Sequence, residues 1–198
     1  MALPALLRGE MVAAEPLDAA AGAVSAARSG VAQLRAAGGG VLGRKVEPGA
    51  KIFLSAPHRV YHLGLNAPVH AHIPEYARPG AWRFMLVDGD DALAAVEVRE
   101  RDGNYVFSDL NAGPFVASTV EAVRRLERVG EAPREMRLLR VPALYLEALW
   151  LHGDSDRFMP LAPTIRGIEA FRMYSEPEFS RLLSDLAATH SQGPALAP

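Results

Sequence analysis

Cysteine is missing from all 198 residues, and that one absence excludes disulfide cross-links, thiolate metal sites and cysteine nucleophiles together. A basic surplus is missing too. The 21 Lys and Arg stand against 23 Asp and Glu, for a formal net charge of -2, whereas nucleic-acid binding ordinarily leaves a clear positive excess. Nucleic acid is therefore not an expected partner. Every apolar run falls short of the roughly 18–20 residues that a membrane span needs. The opening Met1–Glu10 puts no positive charge ahead of its short apolar stretch, as a secretory leader would. The expectation is a cytoplasmic chain with no membrane partner. No G-x-S-x-G is found, and Ser29 and Ser155 lack the flanks of a nucleophile elbow. The acidic clusters Asp88-Gly-Asp-Asp91 and Asp154-Ser-Asp156 lack the further oxygen ligands of a calcium loop, and they read as turns.

Against these absences stand 49% hydrophobic and 22% charged residues, enough apolar surface to offset chain entropy in one domain of this length. No repeat or linker divides the chain, so residues 1–198 are read as a single domain. Residues 1–40 form an Ala-rich helical arm, in which Leu17, Ala20, Ala21, Val24, Ala27, Val31 and Leu34 recur at three- and four-residue steps. Gly38-Gly-Gly40 ends it. Residues 45–75 read as short strands punctuated by Pro48-Gly49, Pro57 and Asn66-Ala-Pro68, with Val69–Ile73 as a return strand.

From about 82 to 163 the pattern predicts an antiparallel sheet crossed on one face by a helix. Ala94, Val96 and Val98 alternate with Ala95, Glu97 and Arg99, which places one set inward and the other in water. Asp102-Gly103 between alternating stretches signals a hairpin, because a type I′ turn needs positive φ at both centres. Ser118-Thr-Val-Glu121 fits a capping box and predicts a helix over 118–129, with Val120, Val123, Leu126 and Val129 on its apolar face. The two-residue period of Leu144, Leu146, Ala148 and Trp150 favours strands there over a helix starting at Pro142. Glu176 opens an amphipathic C-terminal helix over about 175–190, with Phe179, Leu182, Leu183 and Leu186 inward. The fold class is α+β, with sequential strands pairing.

Three constellations could carry chemistry. His58, His62, His70 and His72 fall within fifteen residues. A turn centred on Asn66 would set His62 opposite His70, and His70 and His72 share a strand face, so His62, His70 and His72 could hold a divalent metal, the one cofactor expected. Gly64, five residues and His70-Ala-His72 resemble the opening of the first cupin motif. Glu75 stands too soon after His72 for that motif's glutamate, and no second motif is visible near His152, so membership is not assigned. Gly38-Gly-Gly-Val-Leu-Gly43 satisfies G-x-G-x-x-G but follows a helix instead of opening one, which is the wrong order for phosphate. Trp82 and Trp150, with Phe84, Tyr145 and Phe158 nearby, read as core or as an apolar sheet groove.

Three functions follow from these readings. The first is a non-enzymatic interaction or self-assembly module built on the Ala-rich helix, its partner a second protein or another copy. The second is a metal-dependent enzyme or sensor using His62, His70 and His72. The third is a small-ligand carrier with an apolar sheet groove.

Overall fold

The computed structural model describes Pro4, Leu7 and residues 17–38, 40–41, 44–45, 52–55, 57–65, 72–88, 91–130 and 135–191. Helix α1 (Leu17–Gly38) ends at the glycines, as its composition predicts. Two two-residue strands, β1 (Gly40–Val41) and β2 (Arg44–Lys45), form a small separate ladder. Gly38 thus ends a helix, the reverse of the strand-to-helix order that a phosphate loop needs.

The main sheet comprises β3 (Ile52–Leu54), β4 (His58–His62), β5 (Arg78–Asp88), β6 (Asp91–Arg101), β7 (Asn104–Asn111), β8 (Glu135–Val141), β9 (Leu146–His152), β10 (Arg157–Pro160) and β11 (Tyr174–Ser175). Its order is β11-β10-β9-β8-β4-β5-β6-β7, with β3 pairing the far end of β5. A short helix, α2 (Ile73–Tyr76), precedes β5. Helix α3 (Pro114–Arg128) joins β7 to β8, and α4 (Glu176–Ser191) closes the described chain. The α+β class expected from the pattern is what the chain adopts. At the β6–β7 turn Asp102 and Gly103 both take positive φ, 53° and 75°, as the Asp-Gly signal requires.

Strand succession departs from the expected meander. β4 is not a prelude to the sheet; it lies in the middle, antiparallel to β5 and parallel to β8. The stretch 45–75 is not all strand either, since Ile73–Tyr76 is helical, and the expected return strand otherwise falls outside the described residues. Helix α3 begins at Pro114, four residues before the capping box. Proline suits the first turn of a helix, where its missing N–H costs nothing. Ser118 is buried inside that helix and accepts a hydrogen bond from the Ala162 amide at 2.7 Å, while Glu121 turns outward to Arg125. Strand β9 starts at Leu146, because Pro142–Leu144 is a single 3-10 turn.

Helices cover both sheet faces. On one, Val116, Val120, Val123 and Leu126 of α3 pack on Val60, Met85, Leu138 and Leu149. On the other, α1 covers β5 to β7 and α4 covers β8 to β10. Ala23, Ala27 and Val31 meet Trp82, Phe84, Val96 and Val98, and Phe179 and Leu183 meet Trp150 and Phe158. The arm therefore docks on its own sheet. Its buried stripe is shifted from the one expected: Ala21 is exposed, while Ala23 and Gly30 are buried. Burial on both faces also overturns the one-sided reading of β6, since Ala95 and Glu97 are as buried as Val96 and Val98. Tyr145 leaves the expected aromatic core. It is 66% exposed at the β8–β9 turn, with φ 47°.

Candidate functional site

The predicted histidine triad is only partly described. His62 ends β4, and its flanks are taken by Arg78 of β5 and Arg140 of β8. His72 is exposed just before α2, with its Nδ1 3.8 Å from Glu75. His70 lies outside the described residues. Among the described residues no three His, Asp or Glu side chains stand close enough to hold a metal.

Two other charged clusters emerge, one on each face. On the α3 face, Arg83, Glu97, Arg140 and Glu147 form a buried network. Arg83 donates to Glu147 at 2.8 Å, and Arg140 donates to Glu147 and to Glu97, each at 2.8 Å. The Arg83–Glu147 bond runs from β5 to β9 over two intervening strands, and the Arg140–Glu97 bond runs from β8 to β6 over two. Burial would raise the Glu97 carboxyl, but the Arg140 hydrogen bond and the charges of Arg140, Arg83 and Arg99 more than offset it, and hold it below the usual carboxylate range. His62 stands at the network's edge. Burial, then the Arg140 guanidinium, lowers its imidazole below the ordinary value, with Glu97 and Glu147 pulling the other way. Each charge here is answered by another, and this cluster acts as a cross-brace.

The second cluster lies on the face shared by α1 and α4, in the interval between them. Register sets it. Trp150 pairs with Arg137, Arg137 with Arg59, and Arg59 with Trp82, so one transverse row on four neighbouring strands reads Trp, Arg, Arg, Trp. The Arg59 guanidinium carbon sits 4.9 Å from the Trp82 ring centre. That of Arg137 lies 4.9 Å from the Tyr61 ring and 4.8 Å from the Trp150 ring, and those two rings meet edge-on at 4.9 Å. Such contacts contribute about 0.5–2 kcal/mol each, depending on desolvation, and fix a guanidinium in place. The tryptophans are buried while Arg59 and Arg137 remain partly open to solvent, so the row offers its cations outward and its rings as their bed.

The electrostatics of the row are incomplete. Like charges set directly across neighbouring strands repel. Arg137 is answered by Glu135, two residues away on its own strand face. Arg59 has no hydrogen bond or ion pair among the described residues, and its ring contact with Trp82 is the interaction that holds it. The Trp82 Nε1–H is buried, with no acceptor among the described residues. A buried donor left unmade costs roughly 1–3 kcal/mol.

At the Trp150 end, the row continues into His152 and Asp156. The Asp156 carboxylate accepts from Trp150 Nε1 and from His152 Nδ1, both at 2.7 Å, and its side chain is 11% exposed. The His152 ring packs edge-on to Trp150 at 5.8 Å between centres.

Sequence reasoning found Trp82 and Trp150 but missed Arg59, Arg137, His152 and Asp156 as their companions. Those arginines are unremarkable within their own strands, and only the register of β4 between β5 and β8 aligns them. A separate open cleft of about 650 Å³ lies between α1 and the β6–β7 hairpin, bordered by Ser25, Ser29, Gln33, Tyr105 and Phe107. Among the described residues, no charged side chain lines it. No family model, no curated protein and no solved structure matches this chain.

Proposed function

We propose that this protein binds a small molecule bearing an oxyanion, phosphate or carboxylate, on the Trp150–Arg137–Arg59–Trp82 row. The observation that carries the reading is Arg59, a partly buried cation set directly against Arg137 and lacking a carboxylate of its own among the described residues. An oxyanion on the row would answer the Arg59 charge, and the forked N–H edges of arginine match its geometry. The Trp82 Nε1–H supplies a further donor in want of an acceptor. Because both arginines already rest on aromatic rings, little side-chain freedom remains to be lost on binding. This is the ligand-carrier reading with its chemistry changed, since the floor is cationic and not an apolar groove.

The only two tryptophans of the chain both lie in the row, so intrinsic fluorescence reports on it directly. Titration with inorganic phosphate and with acetate should change that signal saturably for at least one of them. Arg59→Gln should weaken the binding by about tenfold or more, since a hydrogen bond to a charged group contributes about 1.5–3 kcal/mol. A signal that does not respond to either anion, or an Arg59→Gln variant with unchanged affinity, would reject the reading.

A further inference from the structure

We propose that His152 and Asp156 form a general-base dyad at the end of this row, and that the molecule bound there is a phosphate ester that the protein hydrolyses. The inference rests on the oxyanion reading of Arg59 and Arg137 and extends it from binding to chemistry.

The tautomer of His152 follows from its partners. An ionised carboxylate can only accept, and Asp156 accepts from both Trp150 Nε1–H and His152 Nδ1–H. The His152 proton is thereby fixed on Nδ1, and the Nε2 lone pair is free to take a proton. Nε2 has no hydrogen bond among the described residues, and the side chain is 37% exposed. A nearly buried carboxylate that orients an imidazole while leaving its other nitrogen open is the arrangement by which a histidine becomes a base.

Placement ties the dyad to the arginines. His152 and Trp150 are two residues apart on β9, so both side chains emerge on the same sheet face. The indole of Trp150 carries Arg137 at 4.8 Å and touches His152 at 5.8 Å. Across the ladder, His152 pairs with Glu135, whose carboxylate is hydrogen-bonded to Arg137. The base, the cation and the ring that holds them therefore form one continuous patch. In phosphoryl transfer, positioning and charge neutralisation supply most of the catalysis, and arginine serves both.

The reaction balances with water as the second reactant. The water oxygen forms a bond to phosphorus while one of its protons passes to His152 Nε2. The bond from phosphorus to the ester oxygen breaks on the side opposite the attacking water, that oxygen takes a proton from solvent, and the imidazolium releases its own proton to solvent. Alcohol and inorganic phosphate leave, and His152 is neutral again. Arg59 and Arg137 hold the non-bridging oxygens throughout. Asp156 is a positioning residue that acts through His152.

The full chain would be assayed for phosphate release from 4-nitrophenyl phosphate, glycerol phosphate and a nucleoside monophosphate, with inorganic phosphate binding followed in parallel by tryptophan fluorescence. Turnover of at least one ester is expected. His152→Gln and His152→Asn should each lower kcat by about a hundredfold or more, the usual contribution of a general base, while phosphate affinity stays unchanged. Asp156→Asn keeps an acceptor for Trp150 but loses the charge, and should lower kcat, leave KM in place and shift the pH profile. Phosphate binding without turnover above the His152→Gln background would overturn the dyad and leave the oxyanion site standing. Absence of phosphate binding would overturn this inference by itself, and if acetate also failed to bind, the oxyanion reading would fall with it. Equal loss of binding and turnover in all three variants would mark His152 and Asp156 as structural and overturn the inference as well.

Discussion

Glu147 accepts from two arginines of different strands, Arg83 and Arg140, and Arg83 is among the most deeply buried side chains described. Replacing Glu147 with leucine would leave the Arg83 charge buried with no other carboxylate bonded to it among the described residues. Breaking a buried ionic pair from one side costs about 3–5 kcal/mol. Glu121, on the exposed side of α3, makes the same kind of bond to Arg125, yet both side chains there are more than a third exposed. Such surface pairs contribute about 0–1 kcal/mol. Urea denaturation should therefore show a large loss of midpoint for Glu147→Leu and a small one for Glu121→Leu. A similar small loss in both would mean that water reaches the network. None of this was visible in the sequence, where Glu97 and Glu147 sit at alternating positions that look solvent-facing. The pattern of a half-exposed strand and that of a strand carrying a buried charge network are the same string of residue types.

Helix α1 shows why an element can be legible while its packing is not. Three- and four-residue apolar spacing and a glycine exit placed it correctly. The buried stripe, however, is chosen by what lies beneath. A Cβ on Gly30 would stand 2.2 Å from the Phe107 ring, and one on Gly22 would stand 2.6 Å from the Tyr105 ring. Two aromatic side chains of β7 thus rise into gaps that only glycine leaves. Alanine is the better helix former by about 1 kcal/mol, so in an isolated helix Gly30→Ala would stabilise. Here the sign should reverse, because overpacking a well-filled contact costs roughly 1–3 kcal/mol. Thermal denaturation should show a lower midpoint for Gly30→Ala and little change for Ser29→Ala, whose side chain is exposed. A gain of stability in Gly30→Ala would mean that α1 is only loosely seated. Helix α3 gave the opposite error. Its capping-box match was a coincidence of residue types, with Ser118 held by the Ala162 amide just past β10 and Pro114 by the helix start.

At the scale of the molecule, His62 and Glu97 make stability depend on pH in one direction. His62 is held below its ordinary value of 6.5, so the unfolded chain binds that proton more readily than the folded one. Its contribution is complete above about 6.5 and declines as pH falls through the gap between the two values. Glu97 is likewise held below its ordinary 4.5, and its contribution disappears at lower pH as the folded carboxylate protonates. Stability to urea should therefore fall from pH 7.5 to 5.5 and more steeply below 4.5. His62→Gln should flatten the first interval and leave the second. An unchanged slope between pH 7.5 and 5.5 in that variant would reject the assignment. The α+β class, the central hairpin and the two covering helices at the termini were legible because local patterns encode them. The central place of β4 was not, since pairing between residues about 58–62 and 135–141 leaves no local mark.

That pairing divides the sheet into two antiparallel halves, β3 to β7 on one side and β8 to β11 on the other, joined along the parallel β4–β8 ladder. The Arg83–Glu147 and Arg140–Glu97 bonds both cross this join. So does the row at the candidate site, with Arg59 and Trp82 from the first half and Arg137 and Trp150 from the second. During synthesis the first half emerges complete while one flank of β4 still awaits a partner more than seventy residues downstream. Closure of such a long loop is entropically slow. The two arginines meet only after that closure, so the appearance of the site in a refolding chain marks the end of assembly and not an early step.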